Sequence, residues 1–373
     1  MKLKYFIFLY LLIATLCSCN SNKYEDEDIF NGIIHYIDDE NVVTKNVVSE
    51  HVSLDGDQTG MIATYDSLLV CYEPDYPRYF LKVFNIDTGE DLGYFCPKGH
   101  GPGEFVGMNP IYQFLRKGED VVTLFDGDLK SWVFFNLTKS LKSGETVYDT
   151  IFNRSVNNSL FFFYTPNNNI INIIPSEYTN VYESTTPYCE IYNIYNNNEV
   201  KKIPIYKVPL VTNKNAVEPV GRFFNTWDAL KPDGTKFVQA MSYLPQLNII
   251  DTNTGEVKAY RINDDVDYSF LQTEMNDLKR YYLSVQADDN YIYAAYWGKE
   301  LWDGSLNTPM PKFDQIHVFD WNGNLLYKLK TDHSYFVIWL DTVRNRLYTR
   351  NWDNDEIYFL DLSLCLLYLC FNL

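Results

Sequence analysis

The sequence predicts an all-β fold, a single β-propeller of six blades with about four antiparallel strands each, and three observations predict it. Hydrophobic residues fill 46% of the 373 positions and aromatics 17%, with 31 Tyr and 24 Phe, and such side chains suit a pleated, packed surface better than a helix. A polar turn followed by a short apolar strand recurs along the chain, and a fixed period is the mark of a repeat architecture. Most of these strands are followed by a second one that ends in a tight Asp-, Asn- or Gly-containing turn.

The first recurrence reads Asp66-Ser67-Leu68-Leu69-Val70, Glu119-Asp120-Val121-Val122-Thr123, Asn168-Asn169-Ile170-Ile171, Asp233-Gly234-Thr235-Lys236-Phe237-Val238, Asp289-Asn290-Tyr291-Ile292-Tyr293 and Arg344-Asn345-Arg346-Leu347-Tyr348. Its steps, counted from Leu68 through Val121, Ile170, Phe237, Tyr291 and Leu347, are 53, 49, 67, 54 and 56 residues. The second reads Val83-Phe84-Asn85-Ile86-Asp87-Thr88-Gly89, Leu247-Asn248-Ile249-Ile250-Asp251, Ile316-His317-Val318-Phe319-Asp320 and Ile357-Tyr358-Phe359-Leu360-Asp361. Asp and Asn close turns through local side-chain hydrogen bonds, and Gly supplies positive φ, so each unit reads as an antiparallel meander. A lone meander cannot bury both faces, whereas stacked ones bury each other. A two-sheet sandwich would place turns more closely, without the longer period. The sixth unit starts near Tyr335 with little chain after Asp361, so an N-terminal strand, Gly32 to Ile37 or Val42 to Val48, is expected to complete it. The apolar tail Leu364 to Leu373 is too short to cross a bilayer and is expected as a buried or edge strand.

The chain begins with Lys2 and Lys4, an apolar run from Tyr5 to Thr15, and Leu16-Cys17-Ser18-Cys19, the pattern of a secretory signal. The apolar run is well short of the roughly 20 residues a spanning helix needs. The segment resembles a bacterial lipoprotein signal. That resemblance implies that Cys19 is lipidated, becomes the first mature residue and holds the protein to a membrane; a triacylated cysteine meets the multi-chain requirement for stable anchoring. Asn20 in place of Asp, by resemblance to the sorting rule of enteric bacteria, implies the outer membrane. Glu25-Asp26-Glu27-Asp28 reads either as a solvated tether or, by resemblance, as a surface-export tag of Bacteroidetes lipoproteins. The expected division is a signal peptide over 1–18, an acidic tether over 19–30 and a propeller over 31–373.

A formal charge of −18 repels phosphate backbones, so nucleic acid is not an expected partner. Beyond the signal the cysteines are Cys71, Cys96, Cys189, Cys365 and Cys370. No C-x-x-C pair or zinc spacing occurs, so buried thiols are expected, with a disulfide left open by the oxidising compartment.

The densest glycine cluster is Lys98-Gly99-His100-Gly101-Pro102-Gly103-Glu104-Phe105. At this motif the chain resembles the six-bladed propeller lipoproteins of Bacteroidetes, the TolB-like group, which carry a Gly-x-Gly-Pro-Gly-Glu-Phe segment after the first blade. Gly99, Gly101, Pro102, Gly103, Glu104 and Phe105 match it. The Asn-rich stretch Asn193 to Asn198 and the C-terminal strand depart from the family's pattern. A phosphate-cradling loop would need a helix behind it, and Phe105 to Phe114 contains Pro110 and no helical repeat, so a structural blade-to-blade turn is expected. His100 and Lys98 read as solvated, with a ligand contact as the alternative.

No nucleophile-elbow, zinc-hydrolase, Walker or Rossmann signature occurs. Asp126-Gly127-Asp128 and Asp353-Asn354-Asp355-Glu356 offer calcium-type oxygens without a calcium loop's ligand count, and read as turn caps. Trp297, Trp302 and the aromatics of Tyr291 to Tyr296 read as strand core, with sugar stacking as the alternative. No cofactor is expected beyond the covalent lipid on Cys19. The expected function is a membrane-anchored, non-catalytic recognition module for a protein, peptide or glycan at one mouth of the propeller channel. The alternatives are a lactonase-like hydrolase or lyase with a metal or carboxylate site in that channel, and a structural subunit of an envelope complex.

Overall fold

The computed structural model describes residues 26–56, 60–128, 130–153, 161–174, 178–180, 183–184, 187–196, 198–207, 224–262, 268, 279–300, 312–351 and 353–363. The signal segment with Cys19, Cys365, Cys370, Trp302 and the tail 364–373 lie outside the described residues. The chain is all-β and folds as a β-propeller. A one-turn helix α1 (Asp26–Ile29) leads into β1 (Ile33–Ile37), β2 (Thr44–Val47) and β3 (Glu50–His51). Antiparallel meanders follow. The first is β4 (Met61–Tyr65), β5 (Leu68–Tyr72), β6 (Tyr79–Asn85) and β7 (Asp91–Pro97). The second is β8 (Met108–Lys117), β9 (Asp120–Gly127), β10 (Ser131–Asn136) and β11 (Tyr148–Asn153), with helix α2 (Leu137–Ser143) inserted before β11.

In the third, β12 (Phe161–Tyr164) and β13 (Asn169–Ile174) are followed by a small hairpin, β14 (Tyr178–Asn180) with β15 (Glu183–Ser184), before β16 (Tyr188–Asn193) and β17 (Glu199–Pro204). The fourth is β18 (Thr226–Leu230), β19 (Lys236–Met241), β20 (Gln246–Asp251) and β21 (Val257–Ile262). The remaining strands, β22 (Lys279–Ala287), β23 (Tyr291–Glu300), β24 (Phe313–Asp320), β25 (Leu325–Asp341), β26 (Arg346–Asn351) and β27 (Ile357–Asp361), form one sheet with β2 and β3. The repeated turn-strand motif of the sequence falls on β5, β9, β13, β19, β23 and β26, the second strand of each unit, and its companion on β6, β20, β24 and β27.

The last two repeats depart from the expected separate four-stranded sheets. Residues 325–330 of β25 pair with β24, and residues 338–341 pair with β26. The chain passes from the last strand of one meander to the first strand of the next without leaving the extended conformation, so hydrogen bonding joins them into an eight-stranded sheet.

Ring closure also differs from expectation. β1 adds in parallel to β21, and β2 adds in parallel to the first part of β25. The strand that completes the last meander is the two-residue β3, antiparallel to β27, extended by a bond from the Val52 N–H to the Ile357 carbonyl. The N-terminal segment thus covers the otherwise unpaired edges of three successive meanders before entering β4, which removes open edges that would template association.

Among the described residues, apolar clusters fill every seam between consecutive meanders. Val70 and Val83 meet Phe125 and Val133; Trp132 and Phe134 meet Phe162 and Ile170; Ile171 and Cys189 meet Phe237 and Ile250. Ala240 and Leu247 meet Tyr282 and Ile292; Leu283 and Tyr293 meet Leu340 and Leu347; Trp339 and Phe359 close onto Ile62 and Phe84 of the first meander. Both faces of a sheet are therefore buried. All six residues of β10 are buried, which is why the strands read as apolar runs and not as a polar alternation.

The acidic stretch is not a solvated tether from Asp26 onward. Ile29 and Phe30 are buried, and Phe30 packs edge-on to Tyr206 at 5.5 Å. Asp26 pairs with Arg261 at 2.9 Å and accepts hydrogen bonds from Tyr36 and Tyr268. The apolar pair directly after the acids, and a buried guanidinium that requires a counter-charge, draw this segment onto the ring. Burial pushes the Asp26 carboxyl up, but the two tyrosine hydroxyls and the Arg261 charge hold it below its ordinary value.

Candidate functional site

The first strands β4, β8, β12, β18 and β22, together with the second part of β25, border one central cavity of about 330 Å³. Each meander contributes its innermost strand, so residues far apart in sequence share one wall. Neighbouring first strands are pinned across the wall. The Trp339 indole N–H donates to the Thr64 carbonyl at 2.8 Å, and the Gln113 side-chain oxygen accepts from the Tyr164 N–H at 2.8 Å.

Aromatic rings dominate the lining. Tyr65 and Phe114 lie 5.5 Å apart and Phe114 meets Trp339 at 6.1 Å, while Phe161 and Trp227 face each other at 6.2 Å. Trp227 remains 37% exposed although it lies on a central strand. Among the described lining residues Asp228 is the one carboxylate, and none is His, Cys, Lys or Arg.

Asp228 stands on β18 opposite Gln239 of β19 and is 8% exposed. Burial pushes its pKa up to about 7, against hydrogen bonds from Gln239 and Thr226 that favour the ionised form; the Thr226 hydroxyl lies 3.2 Å from Oδ2. A buried polar path leads outward from it across the fourth meander. The Tyr206 hydroxyl donates to the Gln239 Oε1 at 3.3 Å and accepts from the Asn248 Nδ2 at 2.6 Å. Gln246 donates to the Asn248 Oδ1 at 2.7 Å and accepts from the Arg261 Nε at 2.7 Å, and Arg261 reaches Asp26. Every member is buried or half-buried, so each donor needs such an acceptor.

The glycine motif lies between the first and second meanders, and none of its residues borders the cavity. Its polar groups turn inward on the loop. The Gly101 N–H donates to the Glu104 Oε2 at 2.9 Å, and the Gly99 N–H donates to the Phe105 carbonyl at 3.0 Å. A Cβ on Gly99 would sit 2.0 Å from that same Glu104 oxygen, and Gly103 holds φ +76°, a conformation glycine adopts readily. Phe105 is buried edge-on to Phe125 at 5.5 Å and to Tyr148 at 5.8 Å, and the Tyr148 hydroxyl donates to the Gly103 carbonyl at 3.1 Å. Lys98 donates to the carbonyls of Pro74 and Tyr76, and His100 is exposed.

The remaining sequence candidates are not brought to the cavity. Asp126 is fully buried, and Asp128 accepts from the Gly107 N–H at 2.7 Å in a turn. Asp355 pairs with Arg350 at 3.0 Å and Glu356 with His51 at 3.5 Å. Among the described residues no group of three His, Cys, Asp or Glu is arranged to hold a metal ion. Trp297 is covered by the Lys299 ammonium at 4.4 Å, and Tyr296 stacks on His317 at 4.1 Å within the core. Cys71, Cys96 and Cys189 are free and buried; burial raises all three thiols, Cys71 to about 12. Sequence reading did not single out Asp228, Gln239 and Asn248. The available signal was a polar residue interrupting an apolar strand, as in Phe237-Val238-Gln239-Ala240-Met241.

No protein-family model and no curated protein matches this chain. Among solved structures, it is similar to a DUF4221-family protein of Bacteroides vulgatus at 12% identity, with 86% of this chain and 97% of that one covered and a TM-score of 0.56. It is similar to a Bacteroides fragilis protein described as exported, again at 12% identity, with 88% and 98% covered and a TM-score of 0.50. Raptor of Chaetomium thermophilum gives 12% identity and a TM-score of 0.47, and this chain corresponds to 29% of its length. At such identities the likeness to the two Bacteroides chains shows the fold, and the fold is a β-propeller.

Proposed function

We propose that this protein is an exported outer-membrane lipoprotein whose six-bladed, TolB-like propeller recognises a ligand in its central channel without transforming it. Counting the eight-stranded sheet as two blades, each with its own first strand in the cavity wall, supports six. Six apolar seams, the last joining the final meander to the first, support the same count. The lipobox ending in Cys19 supports the anchor, and the likeness to an exported Bacteroides protein supports the compartment. Asp26 lies seven positions after Cys19, a reach of at most about 25 Å, so the body would stand close to the bilayer on the side of the fourth meander.

The observation that carries recognition is one cavity bordered by β4, β8, β12, β18, β22 and the second part of β25, with aromatic walls and, among the described lining residues, a single carboxylate. Ligand sites combine apolar walls with a few placed polar groups in this way. The Gly99–Phe105 loop has a structural role in this reading, locking the first blade to the second. Hydrolase or lyase chemistry of the lactonase type would draw on several convergent carboxylates or a metal, and the described lining offers Asp228 alone. The test is a panel of peptides and glycans titrated against the full chain in detergent, followed by tryptophan fluorescence. Binding that is lost in Trp227→Ala and Trp339→Ala supports the channel; binding that survives both, or turnover of a bound compound, refutes the proposal.

A further inference from the structure

We infer that the ligand of the central channel carries an organic ammonium group, seated at Asp228 with its carbon chain against Trp227 and Phe161. The inference rests on the recognition reading above and specifies its chemistry. Asp228 is more than nine-tenths buried, borders the cavity, and forms no ion pair with any described residue. The fourth meander's own cations are engaged elsewhere: Lys231 pairs with Asp233, the Lys236 ammonium donates to the Trp321 carbonyl, Lys258 pairs with Glu256, and Arg261 pairs with Asp26.

An unpaired carboxylate in an apolar wall is stabilised by protonation or by a cation that enters with it. The cavity suits the second outcome. Ring faces attract ammonium groups at close range, and elsewhere on the cavity lining the Thr64 hydroxyl oxygen on β4 has no hydrogen-bond partner among the described residues. A metal ion fits less well, because one carboxylate and a hydroxyl fall short of the six or more oxygens a hard cation takes. The chain's charge of −18 draws cations toward the protein from a distance, and that attraction weakens with salt.

The full chain in detergent is titrated with hexylammonium and with hexanol, its neutral counterpart, by calorimetry and tryptophan fluorescence. Two further pairs separate the natural sources: tetralysine against its acetylated form, and glucosamine against N-acetylglucosamine. The expected result is that hexylammonium binds at least about tenfold more tightly than hexanol and that Asp228→Asn abolishes this preference. The same variant must retain its circular dichroism spectrum, and Trp227→Ala must weaken both six-carbon probes. Equal binding of the two, or a preference unchanged in Asp228→Asn, overturns the ammonium inference while channel recognition stands. No binding of any probe overturns both.

Discussion

Replacing Asp228 with Asn keeps the shape of the side chain and removes its charge, so its effect on stability isolates the energetics of the buried carboxylate. In the folded chain burial holds the pKa of Asp228 at about 7, against 3.8 for the ordinary group. Between those values the folded state keeps a proton that the unfolded state has released, so stability falls as pH rises through this window. Well below pH 3.8 both states are protonated and the penalty vanishes; it is already under about 1 kcal/mol at pH 4, and above about pH 7 it is complete, at up to about 4 kcal/mol. Among the described residues, the ionisable groups facing Asp228 from neighbouring elements are Cys189 and Tyr206, both raised well above their ordinary values and neutral throughout. Asp228→Asn should therefore come within about 1 kcal/mol of the parent in urea denaturation at pH 4 and exceed it by up to about 4 kcal/mol at pH 8. Other titrating groups cancel in the difference between the two proteins. A difference between variant and parent that is the same at both pH values would refute the reasoning. A variant that is more stable and binds ammonium less well would mark Asp228 as a site held against stability for function.

Cys19→Ser should move the protein from the membrane to the soluble fraction and abolish incorporation of labelled palmitate, and persistent membrane retention would reject lipidation at this residue. Phe105→Ala, which empties the contact between Phe125 and Tyr148, should lower stability by about 3 to 5 kcal/mol in urea melts without altering channel ligand affinity. Asp26→Ala leaves the Arg261 guanidinium buried without its counter-charge; a loss of about 2 to 4 kcal/mol is expected, partly regained when Arg261→Met is added. A thermal-shift cycle over the two single variants and the double checks this.

The repeat was readable because each second strand is announced by its own polar turn: Asp66-Ser67 before β5, Asp233-Gly234 before β19, Arg344-Asn345 before β26. Local chemistry suffices there, since turn residues act over two or three positions. Ring closure was not readable. β3 is two residues long and its partner β27 lies more than 300 positions away, so neither periodicity nor turn chemistry points to it. The expected closing segments were real strands, but they lie alongside β21 and β25, because parallel additions leave no local mark. The candidate site was hidden for a related reason. Its wall takes one strand from each repeat, and Thr226-Trp227-Asp228-Ala229-Leu230 reads on its own as an ordinary short strand with one acid. The motif that stood out, Gly99 to Phe105, stood out because it packs a tight turn into few residues, and its polar contacts close on the loop itself and on the neighbouring Pro97 and Tyr148.

In the lipoprotein reading, the segment that leads from the anchor docks on the fourth meander, behind the channel carboxylate. Asp26, the first described residue after the lipobox, holds Arg261, and Arg261 begins the buried chain through Gln246, Asn248, Tyr206 and Gln239 that ends beside Asp228. The segment after Asp26 then lies along β21, β25 and β27 in turn. In the same reading, a pull on Cys19 would reach Asp26, and Ile29 and Phe30 in the seam between the third and fourth meanders, before the edge strands β1, β2 and β3 that follow them in the chain. β1 is held to β21 along a five-residue parallel register, whereas the one-turn α1 is held by the side-chain contacts of Asp26 and Ile29. Load from the membrane, in the lipoprotein reading, would reach the polar chain behind Asp228 before the edge strands that follow it in the chain.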